Sequence, residues 1–234
     1  MVPRAQVGYV RARKFLNVCC STAIVILLSP RISLADPIRI FESGTPGADG
    51  QTSGYLIDES AFTGLRFFVP SAVMTETIGG HFGGLGGVNI FGAVVALTGP
   101  SDLPDSQDLS TADLVGGAPI MLSPSGDPVP SRVVSAPLHV ALAPGWYSLV
   151  FGAGLFGTTG SGLFTFDHFP STGQTIIGSG GLTRPGLPFT EGVLSQNRLY
   201  AFVDAQPAPV PEPGTLLLLG SGLALLGRLR RAVP

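Results

Sequence analysis

The sequence predicts an all-β body, an antiparallel β-sandwich of jelly-roll type, set between two hydrophobic ends. Three observations predict it. Short apolar runs recur between Gly- and Pro-rich turns from residue 36 to residue 205. No segment of that region sustains a 3.6-residue period for three turns. Only 12% of residues are charged, yet 44% are apolar, so a chain with 33 Gly and 21 Pro still has enough to bury a core.

The body is read in order from its runs. GLRFFV (64–69), VNIFGAVVAL (88–97), APLHVAL (136–142), WYSLVF (146–151) and NRLYAFV (197–203) are strand-like. In the third, Leu138, Val140 and Leu142 share one face, the period-2 mark of a half-buried strand. The turn Ala143-Pro144-Gly145 then predicts a hairpin into Trp146. One short helix is expected over 108–114, capped by Ser106 or Ser110.

Charge is unevenly placed. Residues 1–35 carry four Arg and one Lys with no acid, and Arg228, Arg230 and Arg231 close the chain. Between them, residues 36–211 hold five Arg, no Lys and fourteen Asp or Glu, a net charge of −9. An acidic body without lysine is a poor match for nucleic acid, which needs phosphate-neutralising cations.

The first 35 residues read as a cleavable export signal. A basic segment ends at Lys14, an apolar stretch runs from Phe15 to Leu28, and Ser33-Leu34-Ala35 puts small residues before a cut between Ala35 and Asp36. Fourteen helical residues span about 21 Å, short of a ~30 Å hydrocarbon core. An uncleaved membrane helix is the alternative, and Arg31 keeps it open. Cys19 and Cys20 both lie in this segment, so the exported body would have no disulfide, thiolate or Cys-ligated metal.

The last residues have three parts. Val210-Pro211-Glu212-Pro213 closes a stretch with four prolines in seven residues, which opposes helix. An apolar run, TLLLLGSGLALLG (215–227), follows, and Arg228, Arg230 and Arg231 form a basic stop. The sixteen residues from Gly214 to Leu229 reach about 24 Å as a helix, marginal for a permanent anchor. Arginines hold their side in the cytoplasm, which leaves the body outside.

This order resembles the PEP-CTERM sorting signal, with Pro211, Glu212 and Pro213 as its motif, 215–227 as its short transmembrane helix and 228–231 as its basic end. The resemblance implies recognition by an exosortase, a membrane-embedded cysteine protease or transpeptidase of Gram-negative bacteria that make exopolysaccharide. Three body segments, TIGGHFG (77–83), IFGAVVALTGPSDLP (90–104) and LAPGWYSLVFGAGLFG (142–157), look like a module recurrent in such exported proteins, which implies a β-sandwich without an assigned activity. The expected organisation is a signal peptide (1–35), a β-sandwich (36–205) and a sorting signal (206–234). The expected location is the cell surface or extracellular matrix, after transient anchoring in the inner membrane.

Chemistry is sparse. GAGLFG (152–157) fits a dinucleotide fingerprint but has no βαβ unit around it, which leaves a turn. His81, His139 and His168 are scattered, no Gly-x-Ser-x-Gly elbow is present, and Asp167-His168 would point to opposite faces of a strand. No catalytic residue is therefore expected. The cluster Asp102, Asp105, Asp108 and Asp113 offers hard oxygen donors that suit Ca²⁺, without EF-hand spacing; the other reading is turn capping. No other cofactor is expected. Phe67, Phe68, Trp146, Tyr147 and Tyr200 suit either a core or a sugar-stacking platform. The expected role is a structural or binding protein of the cell surface, in an exopolysaccharide or biofilm setting. The alternatives are an exported glycan-acting enzyme, which needs two convergent carboxylates, and a plainly membrane-anchored surface domain.

Overall fold

The computed structural model describes residues 36–86, 89–123, 125–167, 174–180, 188–194 and 198–208. Fourteen strands, and among the described residues no helix, make up the body. They are β1 (Ile38–Glu42), β2 (Gly54–Ile57), β3 (Ala61–Val69), β4 (Val73–Gly86), β5 (Asn89–Leu97), β6 (Leu114–Met121) and β7 (Val129–Pro137). There follow β8 (Ala141–Leu142), β9 (Gly145–Gly152), β10 (Ser161–Asp167), β11 (Gln174–Gly180), β12 (Thr190–Leu194), β13 (Arg198–Leu199) and β14 (Ala201–Pro207). Every pairing is antiparallel.

Two sheets result. One has six strands in the order β12-β11-β3-β9-β5-β6. The other has eight and is organised around β4. Strands β7 and β8 pair along one edge of β4, while β14 takes Val73–Gly80 and β10 takes Phe82–Gly86 on the other. Strand β1 then adds to β14, and β2 and β13 add to β10.

The inner faces of the two sheets share one core. Ile78 and Phe82 of β4, Phe164 of β10 and Val203 of β14 are buried in the same cluster as Leu65 and Phe67 of β3, Val94 of β5 and Leu149 and Phe151 of β9. Phe82 centres this contact: its ring lies 4.8 Å from Phe151 across the sheets and 4.8 Å from Phe164 beside it. The outer face of the six-stranded sheet is covered too. Phe62, Phe91, Ala93, Val95, Val150 and Ile177 form a second cluster with Leu109 and Phe189. That double burial is why β5 is an almost unbroken apolar run, with Ile90 and Val94 facing one layer and Phe91, Ala93 and Val95 the other.

Polar contacts fasten β1 to β14. Arg39 donates from Nε to Asp204 Oδ1 (2.9 Å) and from Nη1 to Glu42 Oε1 (2.8 Å) and to the Tyr200 hydroxyl (2.8 Å). Its guanidinium also lies 4.0 Å over the Phe202 ring. Burial and a hydrogen bond to Glu42 push the Tyr200 hydroxyl up to about 12.

Two local expectations are corrected. Residues 108–114 are turns and the start of β6, not a helix, because the Ser and Asp side chains there bond to nearby backbone and Leu109 sits at φ 52°. Ala143–Gly145 does not close a hairpin: β8 pairs with β4 and β9 with β3 and β5, so the turn carries the chain from one sheet to the other. The GAGLFG segment ends β9 and forms a turn, with Gly154 at φ 85° and Gly157 at φ 75°.

Phe82→Ala should destabilise the body by about 3–5 kcal/mol through the cavity it leaves between the sheets. Urea unfolding monitored by circular dichroism measures this; a loss below ~1 kcal/mol would mean that Phe82 does not bridge the layers.

Candidate functional site

The sequence-predicted residues fall in two groups. Val210, Pro211, Glu212, Pro213, Arg228, Arg230, Arg231 and Ala35 lie outside the described residues, as does His168, while Asp36 is the first described residue and is exposed. The four loop aspartates are described, and the carboxylates of Asp102, Asp108 and Asp113 serve their own loop. Asp102 accepts from Thr98 N–H and Oγ1 (both 2.7 Å) and from Leu103 N–H (2.9 Å). Asp108 accepts from Ser110 Oγ (2.7 Å), and Asp113 accepts from Asp105 N–H (2.9 Å) and Thr111 Oγ1 (2.5 Å). The Thr98 hydroxyl is the main reason that the Asp102 carboxyl is held below its usual range. Among the described residues no three His, Cys, Asp or Glu side chains are grouped to hold a metal. What the loop visibly does is press Leu103 and Leu109 onto the outer face of the six-stranded sheet.

A pair that the sequence reading missed lies on the other sheet. His81 of β4 and Asp167 of β10 are buried, with Nδ1 and Oδ1 2.5 Å apart. Pairing between β4 and β10 ends at Phe82 and Phe164, and His81 N–H turns to Tyr200 O instead. That change of partner brings Asp167 beside His81, 86 residues away in sequence. Burial is the main influence on the Asp167 carboxyl and pushes it up; the His81 hydrogen bond opposes this more weakly. The loop 43–53 covers the pair. A Cβ on Gly47 would come 2.5 Å from Asp167 Oδ1, so a side chain there would have to displace the carboxylate that holds His81. Asp49 Oδ1 lies 4.0 Å from His81 Nε2, and Gln51 N–H donates to Ser131 Oγ (2.6 Å). The signal was present in sequence: a lone histidine among glycines in an apolar run needs a buried partner. His139, by contrast, is exposed, with Nδ1 3.5 Å from Glu76 Oε2.

A cleft of about 410 Å³ opens among the described residues. Arg66, Trp146, Glu191 and Arg198 line it, with Phe41 and Pro100. Arg66 is held by three hydrogen bonds, from Nε to Asp102 O (2.8 Å), from Nη1 to Pro100 O (3.0 Å) and from Nη2 to Glu191 Oε2 (3.2 Å). Of the aromatics singled out in the sequence, Phe67, Tyr147 and Tyr200 are core residues, while Phe68 is 49% exposed against Trp146.

Comparison with known proteins decides the tail. Residues 209–231 match the PEP-CTERM protein-sorting motif. The chain carries a PEP-CTERM signal. It therefore marks an exported protein that an exosortase sorts, with transit in a membrane-anchored form before cleavage. A search of curated proteins gave no match. The PEP-CTERM segment begins immediately after Ala208, whose N–H donates to Ala72 O at 3.1 Å, so the sorted tail starts where the last strand ends.

Two outcomes follow for the body. A group whose proton is held more tightly in the folded state stabilises fully below its unfolded pKa, and that contribution fades as pH rises through the folded value. For Asp167 the stability of the protein should fall from about pH 4 toward neutrality, and Asp167→Asn should flatten that slope in urea titrations. Equal slopes would remove the assigned cause. Asp102→Ala should cost about 1–2 kcal/mol and increase hydrogen exchange over 98–113, since it leaves the Thr98 and Leu103 donors without an acceptor; unchanged exchange would argue against a lid held by this carboxylate.

Proposed function

We propose that the protein is a non-enzymatic structural or binding protein of the cell surface or extracellular matrix, exported and then released or transferred by an exosortase, in an exopolysaccharide or biofilm setting. The observation that carries this reading is the junction at Ala208: a sorting motif joined without a spacer domain to the last strand of an acidic β body. The arrangement of two sheets around a shared aromatic core supports a β-sandwich as the delivered unit. The sequence places both cysteines in the N-terminal 35 residues, so the body relies on burial for its stability.

The reading favours binding over catalysis because the buried acid–histidine pair found among the described residues sits under a loop that it helps to hold. His81 and Asp167 are 0% and 1% exposed, which keeps a substrate from reaching them. For the aspartate loop, we assign turn capping and lid attachment in preference to Ca²⁺, on the hydrogen bonds that the carboxylates of Asp102, Asp108 and Asp113 make.

Intact-mass measurement of the protein from cells with and without the exosortase tests the sorting. The native chain should lose its Arg-rich end only when the enzyme is present, and Glu212→Ala should keep that end in both. A variant trimmed like the native chain, or a native chain left whole in both backgrounds, overturns the reading in favour of a plain membrane anchor.

A further inference from the structure

We propose that, while its tail is uncut, the body docks on the lipid surface through the end at which the tail leaves, with Phe68 and Trp146 seated at headgroup level. The inference rests on the membrane-anchored transit that the sorting signal implies, and the experiment below separates the two.

Strand register gathers the apolar groups at that end. Ala208 N–H donates to Ala72 O at 3.1 Å, so the tail departs beside the connection between β3 and β4. Phe68 precedes Ala72 by four residues, which holds their Cα atoms within about 14 Å of each other. Trp146 lies opposite Phe68, and Leu97 lies opposite Trp146. The Phe68 and Trp146 rings are 5.3 Å apart. Phe67 is buried in the core, so strand alternation turns Phe68 outward, 49% exposed. Strand β1 starts at the same end, where Ile38 stands opposite Ala205 and is 52% exposed.

The charge of this end differs from that of the body. Three connections meet beside Ala208, at 70–72, 98–101 and 143–145, and none carries a charged side chain. Two acids border them. Asp36 precedes β1, and the Asp102 carboxylate is turned to Thr98 and Leu103 of its own loop. The opposite end carries Asp58 and Glu59 between β2 and β3, and Asp127 between β6 and β7. Anionic lipid repels a body of net charge −9. An uncharged end is the face on which that repulsion is least.

The tether selects the partner. The apolar run begins at Thr215, seven residues after Ala208, a reach of at most about 25 Å. Once that run is in the bilayer, Ala208 and its surroundings are confined near the headgroups, and contact becomes an intramolecular event at high effective concentration. Aromatic side chains, tryptophan above all, favour the boundary between apolar and wet layers.

The chain has a single tryptophan, so its emission reports on this end. The full-length protein is reconstituted into vesicles of phosphatidylcholine and phosphatidylglycerol that carry a nitroxide either at the headgroup or deep in the acyl chain. Flotation of the vesicles reads anchoring, and quenching of Trp146 reads docking. The headgroup nitroxide should quench more strongly than the deep one, and added salt should not weaken the effect, because the contact is apolar. Phe68→Ser should lower the ratio of docked to undocked protein about tenfold. Ser71→Glu, which adds a charge to an exposed turn, should also reduce quenching. Leu85→Ser, exposed at the far end of β4, should quench like the native chain. A chain that floats with its emission untouched by the headgroup nitroxide overturns the docking and leaves the anchoring standing. Self-association over this face would shield Trp146 and give that same result. Native quenching in both Phe68→Ser and Ser71→Glu, or an equal loss in Leu85→Ser, overturns it as well. A chain that does not float overturns the anchoring, and the docking with it.

Discussion

Strand β4 is hydrogen-bonded along both edges for most of its fourteen residues, and every other strand of the larger sheet either pairs with it or pairs with one of its neighbours. Four neighbours share it. Strands β7 and β8 follow each other along one side, and β14 and β10 divide the other between them. The division has a physical consequence at the seam. Where β14 gives way to β10, backbone pairing is interrupted, and His81 and Asp167 fill the gap with a buried side-chain contact. The same strand sends Ile78 and Phe82 inward to meet the other sheet. Sheet order, core contact and the buried polar pair therefore depend on one strand keeping its register.

Much of this was legible in the chain. An all-β body, the positions of β3, β5 and β9, and the Gly-rich turn after β9 follow from local pattern. The unbroken apolar run of β5 carried more information than a strand assignment: burial on both faces implies a covering layer, and the residues that provide it, Leu103 and Leu109, lie in the adjacent acidic loop. The expected helix at 108–114 failed because its Ser and Asp residues are better satisfied by turns, while Leu109 is drawn under the sheet in a left-handed conformation. The expected hairpin at 143–145 failed for another reason. A tight turn fixes only that the chain reverses or bends, and which sheet receives it is decided by long-range pairing.

The buried pair shows the limit most clearly. In sequence, Asp167 has His168 beside it and His81 far away; in space, only the distant one is within reach among the described residues. Strand geometry argues against the adjacent histidine, which lies outside the described residues, and nothing local could name the other. The cleft is of the same kind. Phe68 and Trp146 were visible as aromatics, but whether they faced the core or solvent depended on a register that three strands set together.

The pairing of β1 with β14 sets the order in which the body can close. Ile38 opposes Ala205, so the opening strand finds its partner only after nearly the whole body has been made. Strand β4 likewise has one edge unpaired along Val73–Gly80 until Ala201–Pro207 arrives. In a chain that crosses from its N-terminus, the pairing of β1 and of that edge of β4 is completed by the last strand to emerge. Pro211 follows Ala208 by three residues in sequence, a reach of at most about 10 Å. The sorting motif thus begins two residues past the end of the strand that completes the pairing of both β1 and β4.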